Sequence, residues 1–219
     1  MSHELPLLTP LEARILGVLV EKEKTTPDAY PLTLNSLTSG CNQKTSRDPV
    51  MNVGESEIQA ALEELRSRVL VLETYGASGR VLRYAQNFGK CYGLPAASVA
   101  LLTALMLRGA QTVSELRANC ERLYRFNDAS SVEAYLDELA ALASGALVTR
   151  LPKQPGSREH RWAHLLCGPP SLPDHQTIGN DSGVNNTADL EERVSRLEIE
   201  VGELRNLIGR IGVDATGQS

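Results

Sequence analysis

The chain has 219 residues, 42% of them hydrophobic but only 4% aromatic, and a formal net charge of −5. That length admits one large domain or two small ones, and so few aromatics suit small helix-rich domains with Leu, Val and Ala cores better than a β-sandwich. The negative charge excludes a global basic field for nucleic acid, and the longest apolar run, Ile15 to Val20, is far too short to span a membrane.

The opening residues lack a basic stretch followed by an apolar one, so no signal peptide is expected and the chain reads as cytoplasmic. Thr9 and Pro10 open a first helix, with Leu11, Ile15, Val18 and Leu19 along one face. A shorter helix follows at about Leu32 to Ser39. A third starts near Gly54, with Ile58, Ala61, Leu62 and Leu65 at i, i+3, i+4, i+7. The period then changes to two. Val69 to Tyr75 and Arg80 to Tyr84 form a hairpin around Gly76-Ala-Ser-Gly79, which between two strands is a turn rather than a phosphate loop.

After Gly93-Leu94-Pro95 the order repeats. Val99, Leu102, Leu105 and Met106 mark a helix, Thr112 caps a short one, and Ser130 or Ser131 caps a third carrying Val132, Tyr135, Leu136 and Leu139. A second hairpin joins Leu147–Leu151 to His160–Leu166. Three helices and a hairpin in this order predict a winged helix-turn-helix. The expected fold class is mainly α with small β-hairpins (α+β), with units at 7–90 and 95–167. Leu16 matches Leu102, Leu37 matches Leu116 and Ile58 matches Val132, so the offset shrinks from 86 to 79 to 74. Unit one therefore carries two loop insertions that unit two lacks, and extra loop length in a compact domain needs a reason.

Residues 168–187 are rich in Pro, Gly and Asn and read as a flexible linker. From 188 to 212 a heptad pattern appears, with Leu190, Leu197, Leu204 and Ile211 at d and Val194, Val201 and Ile208 at a. β-Branched residues at a with mainly Leu at d predict a parallel two-stranded coiled coil and hence a homodimer. A helix folding back on its own chain is the alternative.

The stretch Glu21-Lys-Glu-Lys-Thr-Thr-Pro-Asp-Ala-Tyr-Pro-Leu-Thr-Leu-Asn-Ser-Leu37 resembles the YceH-like family of bacterial proteins. So do Cys41-Asn-Gln-Lys44 with Arg47-x-Pro-Val-Met-Asn52, Leu107-Arg-Gly-Ala-Gln-Thr112 with Ser114-Glu-Leu-Arg117, and Pro155-Gly156 with Arg158-Glu159. The resemblance covers about residues 7 to 168. It implies the tandem winged-helix fold already read from the repeat, and it implies no activity.

Chemistry-bearing motifs are scarce. The sequence has no Walker A loop, GxGxxG, HExxH or GxSxG motif, so no enzyme and no cofactor are expected. Cys41, Cys91, Cys120 and Cys167 lie far apart with no CxxC pair, and read as small buried hydrophobes in a reducing compartment. His160 and His164 share a strand face without a third ligand, so they read as surface residues and no metal is expected.

In a winged helix the third helix enters the DNA groove and Lys and Arg supply affinity by neutralising phosphates. Here residues 54–68 carry a net −2 and 130–144 a net −3, which opposes that docking. Ser56 and Gln59 are the neutral contact candidates near the start of the first of these helices. The second hairpin, 150–161, carries Arg150, Lys153, Arg158 and Arg161 against Glu159. The inserted loop offers Asn42, Gln43, Lys44 and Arg47, or else is structural, with Asn42 as a cap, Arg47 paired with Asp48, and Pro49-Val50-Met51 plugging the core. Two readings remain. DNA binding through the basic hairpin and loop stands slightly ahead of a protein–protein adaptor that grips another chain with its winged helices.

Overall fold

The structure, a computed structural model, describes residues 7–75, 79, 81–153, 156–157 and 159–170. Most of the expected linker, the heptads of 188–212 and Arg158 lie outside these residues. Helix α1 (Pro10–Thr25) starts with a capping box: Thr9 Oγ1 accepts from Glu12 N at 3.2 Å, and the Glu12 carboxylate accepts from Thr9 N at 2.7 Å. Helix α2 (Leu34–Cys41) is capped by Thr33. Helix α3 (Glu55–Ser67) buries Ile58, Leu62 and Leu65. Strands β1 (Val71–Tyr75) and β2 (Leu82–Gln86) pair antiparallel from Val71↔Gln86 to Tyr75↔Leu82, and Leu32 bridges Tyr84 on the other side of β2. β1 is thus an edge strand.

A short helix that periodicity did not signal, α4 (Phe88–Cys91), then leads into α5 (Ala96–Arg108). Strand β3 (Gln111–Thr112) precedes α6 (Val113–Cys120), whose Thr112 and Glu115 form a second capping box. Helix α7 (Ala129–Ala140) buries Val132, Leu136 and Leu139. Its cap is Asp128 rather than Ser130 or Ser131, because the Asp128 carboxylate accepts from Ser131 N at 2.7 Å. Strands β4 (Val148–Arg150) and β5 (Arg161–His164) complete an antiparallel sheet in the order β3-β5-β4. Helix–helix–helix–hairpin thus occurs twice in a mixed α/β chain with small antiparallel sheets. Among the described residues no helix is long and apolar enough to cross a membrane.

The two halves share one continuous core. Every residue of α1 from Glu12 to Val20 is buried, as is every residue of α5 from Ala97 to Leu107. A helix buried all round must be covered on more than one side. α1 is covered by α2 and α3 from its own half and by α5 from the other. The α1–α5 approach is close: a Cβ on Gly17 would lie 2.8 Å from Leu107 Cδ2. The same crowding recurs at Gly40, where a Cβ would lie 2.6 Å from Val18 Cγ1 and so sets the α1–α2 distance. The ends are tied as well, with Leu8 N donating to Leu166 O at 2.7 Å.

Among the described residues two non-glycine positions have positive φ, Ser46 in the inserted loop at 61° and Val69. Val69, just past α3, has φ 57°, a conformation that a β-branched residue rarely adopts. Its carbonyl accepts from Asn87 Nδ2 at 2.9 Å and Cys91 Sγ at 3.1 Å, so α4 holds the turn that feeds β1.

Gly17→Ala forces a methyl group into Leu107 and is expected to destabilise the chain by about 1–3 kcal/mol. Urea unfolding measures this, and an unchanged midpoint contradicts the close α1–α5 packing.

Candidate functional site

The inserted loop of the first half engages three of its four candidate side chains, Asn42, Gln43 and Arg47, in hydrogen bonds within the chain. Asn42 ends α2, its Nδ2 donating to Val53 O and its Oδ1 accepting from Val53 N, both at 2.8 Å, which closes the loop on itself. Gln43 Nε2 donates to Thr45 O at 3.0 Å. Arg47 is buried: Nη1 and Nη2 grip Glu21 of α1 at 3.1 and 2.6 Å, and Nε donates to Gly40 O at 3.2 Å. Its partner is therefore Glu21 and not Asp48. The loop does not plug the core either, since Pro49 and Val50 are exposed. Of the four loop candidates, Lys44 alone presents an exposed side chain.

A second arginine completes the loop's attachment. Arg14, 1% exposed in the middle of α1, donates to Cys41 O at 3.2 Å and Pro49 O at 2.7 Å. Burial lowers its pKa, and the neighbouring Arg47 charge lowers it further. Burial pushes the Glu21 carboxyl up, but the hydrogen bonds and charges of Arg47 and Lys22 outweigh that and hold it below its ordinary value. Two guanidinium groups thus pin the loop to α1, and the loop reaches the other half. Asp48 N donates to Leu107 O at 2.8 Å, meeting one of the carbonyls left free at the end of α5. The signal for Arg14 was present in the sequence, as a charge at a position surrounded by the apolar residues of Leu11 to Val20.

The exposed face of α3 carries Ser56 and Gln59 among Glu55, Glu57, Glu63 and Glu64. Its two arginines are engaged elsewhere, Arg66 with Glu73 at 2.8 Å and Arg68 with Glu12 and with Leu7 O at 3.2 Å. The exposed face of α7 carries Glu133, Asp137 and Glu138 with no basic residue. Beside α3, the first hairpin leaves Leu72, Tyr75 and Val81 exposed at 44%, 68% and 46%.

The second hairpin keeps its cations outside. Arg150 and Lys153 are exposed, while Arg161 is half-buried with Nη2 3.4 Å from Glu115. Arg150, Lys153 and His160 line a cleft of about 290 Å³ against Ser114 of α6 and Glu133 of α7. Glu159 accepts from Ser114 Oγ at 3.3 Å, and His160 Nδ1 lies 3.0 Å from Leu151 O. Trp162, buried in the core, forms part of the cleft's inner wall.

The buried titratable groups belong to the core. Cys41 and Cys120 are buried, and desolvation pushes both thiols up to about 12, away from reactivity. Cys167 is half-buried and Cys91 exposed, so the four are not uniformly buried. His164 is half-buried rather than fully exposed. Its ring Nδ1 is buried without a partner among the described residues, and burial lowers its pKa to about 4. Among the described residues no group of three or more metal-ligand side chains gathers.

Arg47→Ala leaves Glu21 and the Gly40 carbonyl without their partner and is expected to cost about 3–5 kcal/mol. Lys44→Ala, at an exposed position, should stay within about 0.5 kcal/mol. Equal urea midpoints for the two variants contradict the buried pair. A histidine whose folded pKa lies below its unfolded value takes up a proton more readily once unfolded. Stability should therefore fall as pH drops from about 6.5 to about 4, and His164→Gln should flatten that part of the profile. An unaltered profile in the variant counts against a neutral, half-buried His164.

Residues 8–157, from just before the N-cap of α1 into the second hairpin, match the family described as "Protein of unknown function, DUF480". A UPF0502 protein of Dechloromonas aromatica is 54% identical over 209 residues, covering 95% of this chain and 97% of its own. A UPF0502 protein of Burkholderia orbicola is 51% identical over 223 residues, covering 97% and 93%. One from Acidovorax sp. is 54% identical over 211 residues, covering 94% and 92%. Coverage this high carries the likeness past residue 170. All of the YceH-like motifs except Arg158-Glu159 fall within residues 8–157, and the chain belongs to the DUF480 family, whose relatives here carry the name UPF0502.

Proposed function

We propose that this chain is a non-enzymatic adaptor, built from two winged helix-turn-helix units in tandem, that holds another protein. The units run from 7 to 90 and from 95 to 167, with β1–β2 and β4–β5 as wings. A linker at 168–187 and a homodimerising coiled coil at 188–212 follow, resting on the heptads, and the setting is cytoplasmic.

One observation carries the choice of partner. The outward faces of α3 and α7 are acidic, and both arginines of α3 are bound to other carboxylates. Docked on DNA, either helix brings carboxylates to phosphate, and the partial positive charge of a helix N-terminus does not offset several of them. The neighbouring wing adds exposed apolar side chains, Leu72 on one face of β1, Tyr75 on the other, and Val81 just before β2, the residue types that a protein interface covers. A second reading, transcription-regulator-like DNA binding, is favoured by the cleft lined by Arg150, Lys153 and His160. It now lacks the support of Asn42 and Arg47, which are engaged within the chain.

Retention of genomic DNA fragments and nuclease-resistant protein capture from lysate separate the readings. The adaptor account predicts that Leu72→Ser/Tyr75→Ser abolishes capture, and that Arg150→Glu/Lys153→Glu changes neither capture nor DNA retention. DNA retention that falls steeply with salt and is lost in the charge-reversal variant, with capture indifferent to the apolar substitutions, replaces it with the DNA reading.

A further inference from the structure

A second cleft, of about 210 Å³, opens where the two repeats meet. Val20 of α1 and Val99 and Ala100 of α5 form apolar wall, and Leu123, in the turn after α6, adds to it. The lining takes residues from both halves, so its shape depends on the α1–α5 packing. Lys24 and Lys90 also line it and are exposed. Glu23 is the acidic group of the lining, and its carboxylate already accepts from Gln86 Nε2 at 2.9 Å. Among the described residues neither lysine makes an ion pair. Apolar wall therefore meets two ammonium groups and one carboxylate, which leaves the lining with a net charge of +1. The first turn of α5 borders the same space, with no side-chain cap and no acidic residue, and its positive end adds to that charge.

We propose that this cleft binds a small organic carboxylate with a compact apolar body, the carboxylate held by Lys24 and Lys90 and the body laid against Val20, Val99, Ala100 and Leu123. The size agrees. An aliphatic cavity of about 150 Å³ holds benzene, so about 210 Å³ takes one ring and a carboxylate. Such a ligand touches both repeats and binds only when they are packed, so it stabilises the folded chain in proportion to its occupancy. The site is separate from the acidic helices, and its test does not depend on the adaptor reading.

Benzoate and its cationic counterpart benzylamine are the probes, titrated into the full chain with Val and Ala methyl groups labelled for NMR. Benzoate should shift the Val20, Val99 and Ala100 methyl resonances saturably, with a Kd of roughly millimolar order for so small a ligand. Benzylamine should not. Lys24→Glu/Lys90→Glu changes two exposed side chains, so its methyl spectrum should otherwise keep the native pattern. In it benzoate should weaken by about tenfold or more, and benzylamine should begin to bind. The proposal is overturned by the absence of a saturable benzoate shift, by equal shifts from both probes, or by unchanged benzoate binding in the double variant.

Discussion

Two helices, one opening each repeat, lie against each other so closely that Gly17 has no room for a methyl group beside Leu107. Most of the remaining structure follows from that contact. Because α1 is buried throughout its middle turns and α5 over nearly its whole length, neither repeat closes a core of its own. Each lends its first helix to the other. The inserted loop of the first repeat has its reason here, since it runs from the end of α2 to the end of α5 and gives its Asp48 amide to the Leu107 carbonyl.

The loop is held by charge taken out of water. Arg47 with Glu21, and Arg14 with two backbone carbonyls, are expensive to desolvate, and such groups are weak evidence for net stability. What they supply is geometry: a guanidinium with several fixed acceptors admits one loop conformation, whereas an apolar plug admits many. With those cations turned inward and both third helices acidic on their outer faces, the exposed positive charge of the second half lies on its hairpin, at Arg150 and Lys153, and in and after α6, at Arg117, Arg122 and Arg125. The distribution of charge follows from how the repeats are joined, and it shapes what they can hold.

The order of elements was legible in the sequence because the apolar period switches from 3.6 to 2 at each hairpin, and Ile58, Leu62, Leu65, Val132, Leu136 and Leu139 are buried as that pattern requires. Local cues failed where the partner was distant or the element short. Arg47 stands beside Asp48 in the chain, but Glu21, 26 positions away, lies on the buried face of α1 that the loop crosses. Asp128 caps α7 although Ser130 and Ser131 stand nearer to Val132, where the apolar period begins. Helix α4 is a single turn, too short to show a period. The candidate contact loop misled for a physical reason, since Asn and Arg are as well suited to satisfying a buried backbone as to reading a ligand.

The central claim is that the two repeats form one cooperative unit rather than two linked domains. Cys41 of the first repeat and Cys120 of the second are both buried in the shared core. Thiol labelling across a urea series, resolved by mass spectrometry of the two peptides, reports when the core opens around each. Coincident transitions with equal opening free energies are the predicted result. Labelling of one cysteine at clearly lower urea than the other contradicts the account.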